Sequence, residues 1–235
     1  HDVFAWRLRS EAGRPAVRFT AALAVLGIAR AAGVSWAELG LDRRETGSGL
    51  RAGALAGVCV SAAVLAGAAL PATRPFLRDE RTAPAAGRDL AAGLARITFA
   101  TVPPEEIIYR SALLGLRLED GSRATAVTWS SALFGLSHIL PTLSTMSQTA
   151  LHHHLARGTL RQALFVGGNV VVTGLAGAAF ACLRLRSGSV LAPLIAHAAL
   201  NDAALVAGRA AHRVAHEQAG GRGHASSRPV SRPDG

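Results

Sequence analysis

The chain has 235 residues, half of them apolar and only 17% charged, with 25 glycines and a formal charge of +10. So little large apolar bulk beside so much Ala and Gly argues against an ordinary water-soluble core and suits helices packed in lipid, where small residues let backbones approach closely. All 25 basic residues are Arg, and they mark the ends of apolar runs instead of gathering with aromatics on one face, which argues against a nucleic-acid interface.

Taken in chain order, residues 19–36 form the first apolar run, broken only by Arg30, which lies near one end where it can snorkel to the headgroups. A solvated link over 34–49, containing Trp36, Gly40, Gly47 and Gly49, leads to a second run at 52–73 that holds no Asp, Glu, Lys or Arg. The Pro- and Arg-rich stretch 71–89 reads as a loop. Residues 90–118 form a third, charge-bearing segment, in which Pro104 suits the first position of a helix and leaves Glu105 and Glu106 in its first turn, near free backbone N–H groups that favour negative charge. Two more charge-free runs follow at 124–155 and 162–183, and a sixth at 187–208 is interrupted only by His197 and Asp202. Each of these last three meets the roughly 20 residues that a bilayer crossing requires.

The expectation is an all-α polytopic membrane bundle of about six transmembrane helices with its active site inside. One membrane-embedded domain covers 1–208, and the Gly-, Ser- and Pro-containing remainder, 209–235, reads as a disordered basic tail. Arginines are more numerous in the segments that six crossings leave on the side of the two termini, so both ends are expected in the cytoplasm. Cys59 and Cys182 fall within apolar runs and act as small hydrophobes. His152, His153 and His154 follow an apolar run and suit a surface loop better than a metal cluster, because adjacent helical histidines splay apart. Asn169, among glycines, reads as packing glue between helices.

Ionisable groups inside such runs are costly, about 2.5–3.5 kcal/mol each on insertion scales, and therefore mark chemistry. Glu106 and Arg110 are four apart on one helical face, a favourable pair, while Glu105 is turned about 100° away. Phe134 and His138 share a face on another helix, and His197 and Asn201 on a third. A carboxylate, two imidazoles and a carboxamide on three helices can activate a water and receive the charge of a tetrahedral oxyanion, which is the equipment of amide hydrolysis. A proton relay in a coupled transporter uses similar residues, and a scaffold or immunity-type protein could keep them unused. No inverted repeat favours the transporter.

These residues read, in order, EEIIYR (105–110), FGLSH (134–138) and HAALN (197–201), and so resemble the EExxxR, FxxxH and HxxxN motifs of the CPBP intramembrane proteases, which include CAAX prenyl endopeptidases and bacteriocin-processing or immunity proteins. The resemblance covers about residues 90–202, and WAELGL (36–41) is similar to the family's sequence before its second span. It implies an intramembrane endopeptidase in which Glu105 activates water with His138, His197 and Asn201 form the oxyanion pocket, and Glu106, Arg110 and Phe134 support the site. Tyr109 stands where Phe is common and Ser111 where Gly is common. The resemblance also implies a peptide or membrane-associated protein as substrate, and the Ala- and Arg-rich composition suggests a bacterial inner membrane. No cofactor is expected. Zinc on Glu105, His138 and His197 is the less favoured alternative, since the spacing lacks the HExxH element.

Overall fold

A computed structural model describes residues 13–70, 72–73, 89–146 and 159–226, and every regular element among them is helical. Helix α1 is Gly13–Ala31; a 3₁₀ turn, Arg43–Glu45, opens α2, Thr46–Ala69. Helix α3 runs without a break over 90–120; α4 is Arg123–Ser137, α5 is Ile139–Met146, α6 is Thr159–Ser187 and α7 is Leu191–Ser226. Short polar residues set several starts: Asp42, Asp89 and Ser122 accept from the backbone N–H of Arg44, Ala91 and Thr125.

Three helices among the described residues are long and apolar enough to cross a bilayer: Arg43–Ala69, Leu160–Ser187 and Leu191–Val214. They correspond to the expected second, fifth and sixth crossings, and their outward side chains, such as Leu55, Val58, Leu164, Val172 and Leu175, are exposed, as lipid contact requires. The other three expected crossings do not pass the same test, for separate reasons. Helix α1 is long enough but carries Arg14, Arg18 and Arg30 within its 19 residues, and the chain turns at Gly33 (φ +101°), so 34–36 belong to the loop. Helix α3 carries too many charges. Helix α4 has 15 residues, about 22 Å at 1.5 Å each, and stops at His138. The run 124–155 is thus two helices to Met146, and 147–155, with His152 to His154, lies outside the described residues.

Helix α7 continues from the sixth apolar run through 209–226. Ala, Arg, Glu and Gln are good helix formers, and an established helix propagates at little cost even where no core awaits it. Residues 227–235 lie outside the described residues.

Glycine seams hold the bundle together. On α2, Gly49, Gly53 and Gly57 are four apart and face α7: a Cβ on Gly53 would meet the Ala192 backbone at 3.0 Å, and one on Gly57 would meet Ala199 at 3.2 Å. Without a hydrophobic force between helices in lipid, this close approach supplies the packing. Gly53→Val should therefore destabilise the bundle by about 1–3 kcal/mol for an overpacked contact, seen as a lower thermal midpoint in detergent. Gly67→Val on the same helix, where a Cβ meets nothing within 4 Å, should leave it unchanged. Equal melts for the two variants would refute the seam.

One end of the bundle is tied by the loop containing WAELGL. Val190 N donates to Gly40 O at 2.8 Å, Arg184 donates to the carbonyls of Ala37 and Glu38, and Gly115 packs against Val34 and Leu39. Gly40 needs its positive φ of 69° and its lack of Cβ, since Arg184 Nε would stand 2.7 Å from one. Within the loop, Ser35 N donates to Glu38 at 2.7 Å and Glu38 N to Ser35 Oγ at 3.1 Å. Hydrogen bonding from Ser35 holds the exposed Glu38 carboxyl below its ordinary value, so this turn is fully formed above the usual carboxylate range and loosens as pH falls through that lowered value. Arg30 donates to Val34 O and stacks 4.7 Å from the Trp36 ring.

Candidate active site

The site is built on α3, and α3 departs from a regular helix on both sides of its two prolines. Arg96–Thr101 and Ile107–Leu113 are π-helical, with Leu90–Ala95, Val102–Glu106 and Leu114–Asp120 α-helical between and beyond them. Pro103 and Pro104 lack N–H groups and crowd the preceding turn, and the widened turns absorb that mismatch. The helix therefore does not begin at Pro104, and the free N–H groups expected to face the glutamates are not those of a helix end.

Glu106 is fully buried and central. Its Oε1 accepts from His197 Nδ1 at 2.8 Å and lies 3.2 Å from Arg110 Nη1. The expected i,i+4 pair with Arg110 is present, but the same oxygen also orients an imidazole on α7. Glu105, one residue earlier and partly exposed, places Oε2 4.0 Å from His197 Nε2. Two side chains about 100° apart on α3 can thus address the two divergent nitrogens of one ring. Both glutamates thus engage His197, Glu106 at Nδ1 while also paired with Arg110, and Glu105 on the Nε2 side.

Phe134 is the hub of the constellation. Its ring meets Tyr109, His138 and His197 edge-on at 5.2, 4.6 and 5.8 Å between centroids, and the Arg110 guanidinium lies 3.9 Å from its centroid. Two histidines from different helices therefore pack against one ring. Gly177 of α6 makes room, since a Cβ there would come within 3.0 Å of Phe134 and 3.3 Å of Arg110 Nη2. Phe180, one turn on, stacks on His197 at 5.0 Å.

His138 ends α4 as its C-cap. Its Nδ1 lies 2.8 Å from Phe134 O, and a carbonyl only accepts, so Nδ1 carries a proton and the neutral ring keeps its lone pair on Nε2. The same logic gives His197 a proton on Nδ1, donated to Glu106. Asn201 lies one turn beyond His197 on α7 and is half-buried. Its neighbour Asp202 does not pair with His197 but accepts from Thr98 Oγ1 at 3.0 Å, tying α7 to α3. Ser111 Oγ donates to Leu39 O at 2.7 Å, so the departure from Gly joins α3 to the WAELGL loop. Ser130 Oγ donates to Tyr109 O at 2.6 Å and joins α3 to α4.

All four expected reactive residues thus sit on α3, α4 and α7, with Glu105 and His197 within reach of one another and His138 linked to them through Phe134. Sequence reasoning missed Gly177 and Phe180, although with Ala181 and Arg184 they form a buried stripe at i, i+3, i+4 and i+7 on α6. For zinc, Glu105, His138 and His197 do not fit as placed: among the described residues no three His, Cys, Asp or Glu side chains are gathered to hold an ion.

Comparison with curated proteins and comparison with solved structures give no match. The family model described as Rce1-like, type II CAAX prenyl endopeptidase, matches residues 87–202, which hold all three motifs and every residue of the constellation. Three apolar helices of membrane-crossing length, a polar cluster enclosed between helices and this match agree: residues 87–202 belong to the Rce1-like family of CAAX-type intramembrane peptidases.

Proposed function

We propose that the protein hydrolyses a peptide bond within the membrane using a water activated by Glu105 and His138. The observation that carries this reading is the His197 imidazole with a carboxylate at each nitrogen, Glu106 at 2.8 Å and Glu105 at 4.0 Å, beside a second imidazole packed on the same Phe134 ring. Glu105, less buried than Glu106, takes the proton from water as the oxygen attacks the scissile carbonyl. His138 Nε2, left with its lone pair, accepts the water's second hydrogen and orients it.

The carbonyl oxygen gains negative charge as the tetrahedral intermediate forms, and Asn201 Nδ2 donates to it. His197 donates from Nε2 as the imidazolium, a form in which Glu105 and Glu106 stand on either side of its charge. Glu105 then returns its proton to the leaving amine, which completes the hydrolysis without a covalent intermediate. Glu106 and Arg110 hold His197 in register, and no step needs an ion.

The substrate class is a peptide or a membrane-associated protein. The family's description names a CAAX prenyl endopeptidase, whereas the Ala- and Arg-rich composition is bacterial in character and favours an unprenylated substrate in a cytoplasmic membrane, with both chain ends inside. The test is a library of membrane-anchored peptides presented to purified protein in nanodiscs. Native protein should cleave a subset that neither Glu105→Gln nor His138→Ala cleaves. Equal cleavage by either variant would remove that residue from the chemistry.

A further inference from the structure

We propose that Asn169 is a positioning residue for His138, acting through the Thr142 hydroxyl; the inference rests on the role given to His138 above. His138 occupies the break between α4 and α5, where its carbonyl accepts from both Thr142 N at 3.0 Å and Thr142 Oγ1 at 2.6 Å. The Thr142 hydroxyl hydrogen is thereby committed, and its oxygen can only accept from the next partner. That partner is Asn169 of α6, whose Nδ2 lies 2.5 Å away, so the amide must present its nitrogen there. The relay runs in one direction, from Asn169 to Thr142 to the His138 carbonyl.

The same stretch of α6 grips the break from its other side. A Cβ on Gly135 would stand 2.6 Å from Val170 O, so α4 touches the α6 backbone one residue from Asn169. The hinge that aims His138 is thus clasped at 135 and at 142 by residues 169–170. Thr142 is buried, whereas Val171 and Val172 near Asn169 are exposed on the lipid side, so the amide and Thr173, which donates to the Asn169 carbonyl at 2.7 Å, are the polar side chains in the apolar middle of α6. Helix packing alone would not need an amide aimed at a hydroxyl already bound to the backbone of a histidine. The ring of His138 has its Nδ1–H fixed on Phe134 O, and any rotation of the 138–142 turn moves Nε2 away from the water it orients.

The test uses purified protein and a peptide that native protein cleaves in the library above. Asn169→Leu, similar in volume and compatible with lipid, should lower kcat by about 10-fold or more through misalignment, with KM and the thermal midpoint unchanged. Thr142→Ser should keep native kcat, Thr142→Val should lose as much as Asn169→Leu, and the double variant Asn169→Leu/Thr142→Val should lose no more than either. In ¹⁵N-histidine spectra, the resonances of His138, assigned by their loss in His138→Ala, should shift in Asn169→Leu. Native kcat in Asn169→Leu, a loss that tracks a fall in thermal midpoint, or additive losses in the double variant would each overturn the relay. Full activity in His138→Ala would instead overturn the active-site reading beneath it.

Discussion

Glu106→Gln is expected to be the most damaging single change to the fold, costing about 3–5 kcal/mol, because it removes the carboxylate in contact with the buried Arg110 cation. Glutamine keeps the size of the side chain and can still accept from His197 Nδ1, so the loss isolates charge from shape. The sign of a second substitution separates this cause from a general intolerance of mutation. Arg110→Met retains bulk against Phe134 and removes the orphaned cation, so the double variant Glu106→Gln/Arg110→Met should be more stable than Glu106→Gln alone. Thermal or denaturant melts in detergent read both outcomes. A double variant less stable than either single would mean that the two residues act independently. Activity should fall in all three proteins, since each loosens the hold on His197.

Glu105→Gln is expected to do the reverse, leaving the melt unchanged while lowering turnover by about 10²–10⁴-fold, the usual contribution of a general base. Glu105 is partly exposed and faces His197 Nε2, whereas Glu106 is the carboxylate in contact with Arg110 and supplies the larger share of that buried cation's balance. The contrast between two adjacent glutamates is the point of the experiment. If Glu105→Gln destabilises and Glu106→Gln does not, their roles are exchanged. If Glu105→Gln turns over normally, the water-activating base lies elsewhere.

Much of this was legible in the residues before any coordinates. Charge-free runs of bilayer length locate α2, α6 and the first part of α7, and four-residue spacing puts Glu106 with Arg110, Phe134 with His138 and His197 with Asn201 on common faces. Spacing along one helix says which side chains share a face and not which helix lies opposite. That is why the engagement of both glutamates with His197, and the placement of Phe134 between two histidines, emerged only in three dimensions.

The π-helical turns were hidden for a related reason. Pro103-Pro104 signals that regular hydrogen bonding must fail nearby, but a helix can answer by restarting or by widening, and tertiary packing of residues 90–95 against α7 selects the second. Periodicity also could not show that α4 ends at His138, because 124–155 carries no Asp, Glu, Lys or Arg to mark a boundary and its breakers, Gly135 and Pro141, stand three residues to either side of that position. Asn169 looked like generic packing glue because its partner, Thr142, is 27 positions away. Its direction toward the His138 turn is a tertiary fact.

The most direct measurement of the central claim compares peptide termini across whole membranes carrying native protein, Glu105→Gln or His138→Ala, each confirmed to be folded and inserted. The expected result is a set of new termini made by the native protein alone, with cut sites in or beside membrane segments. The same set of termini in all three membranes would contradict hydrolysis by these residues.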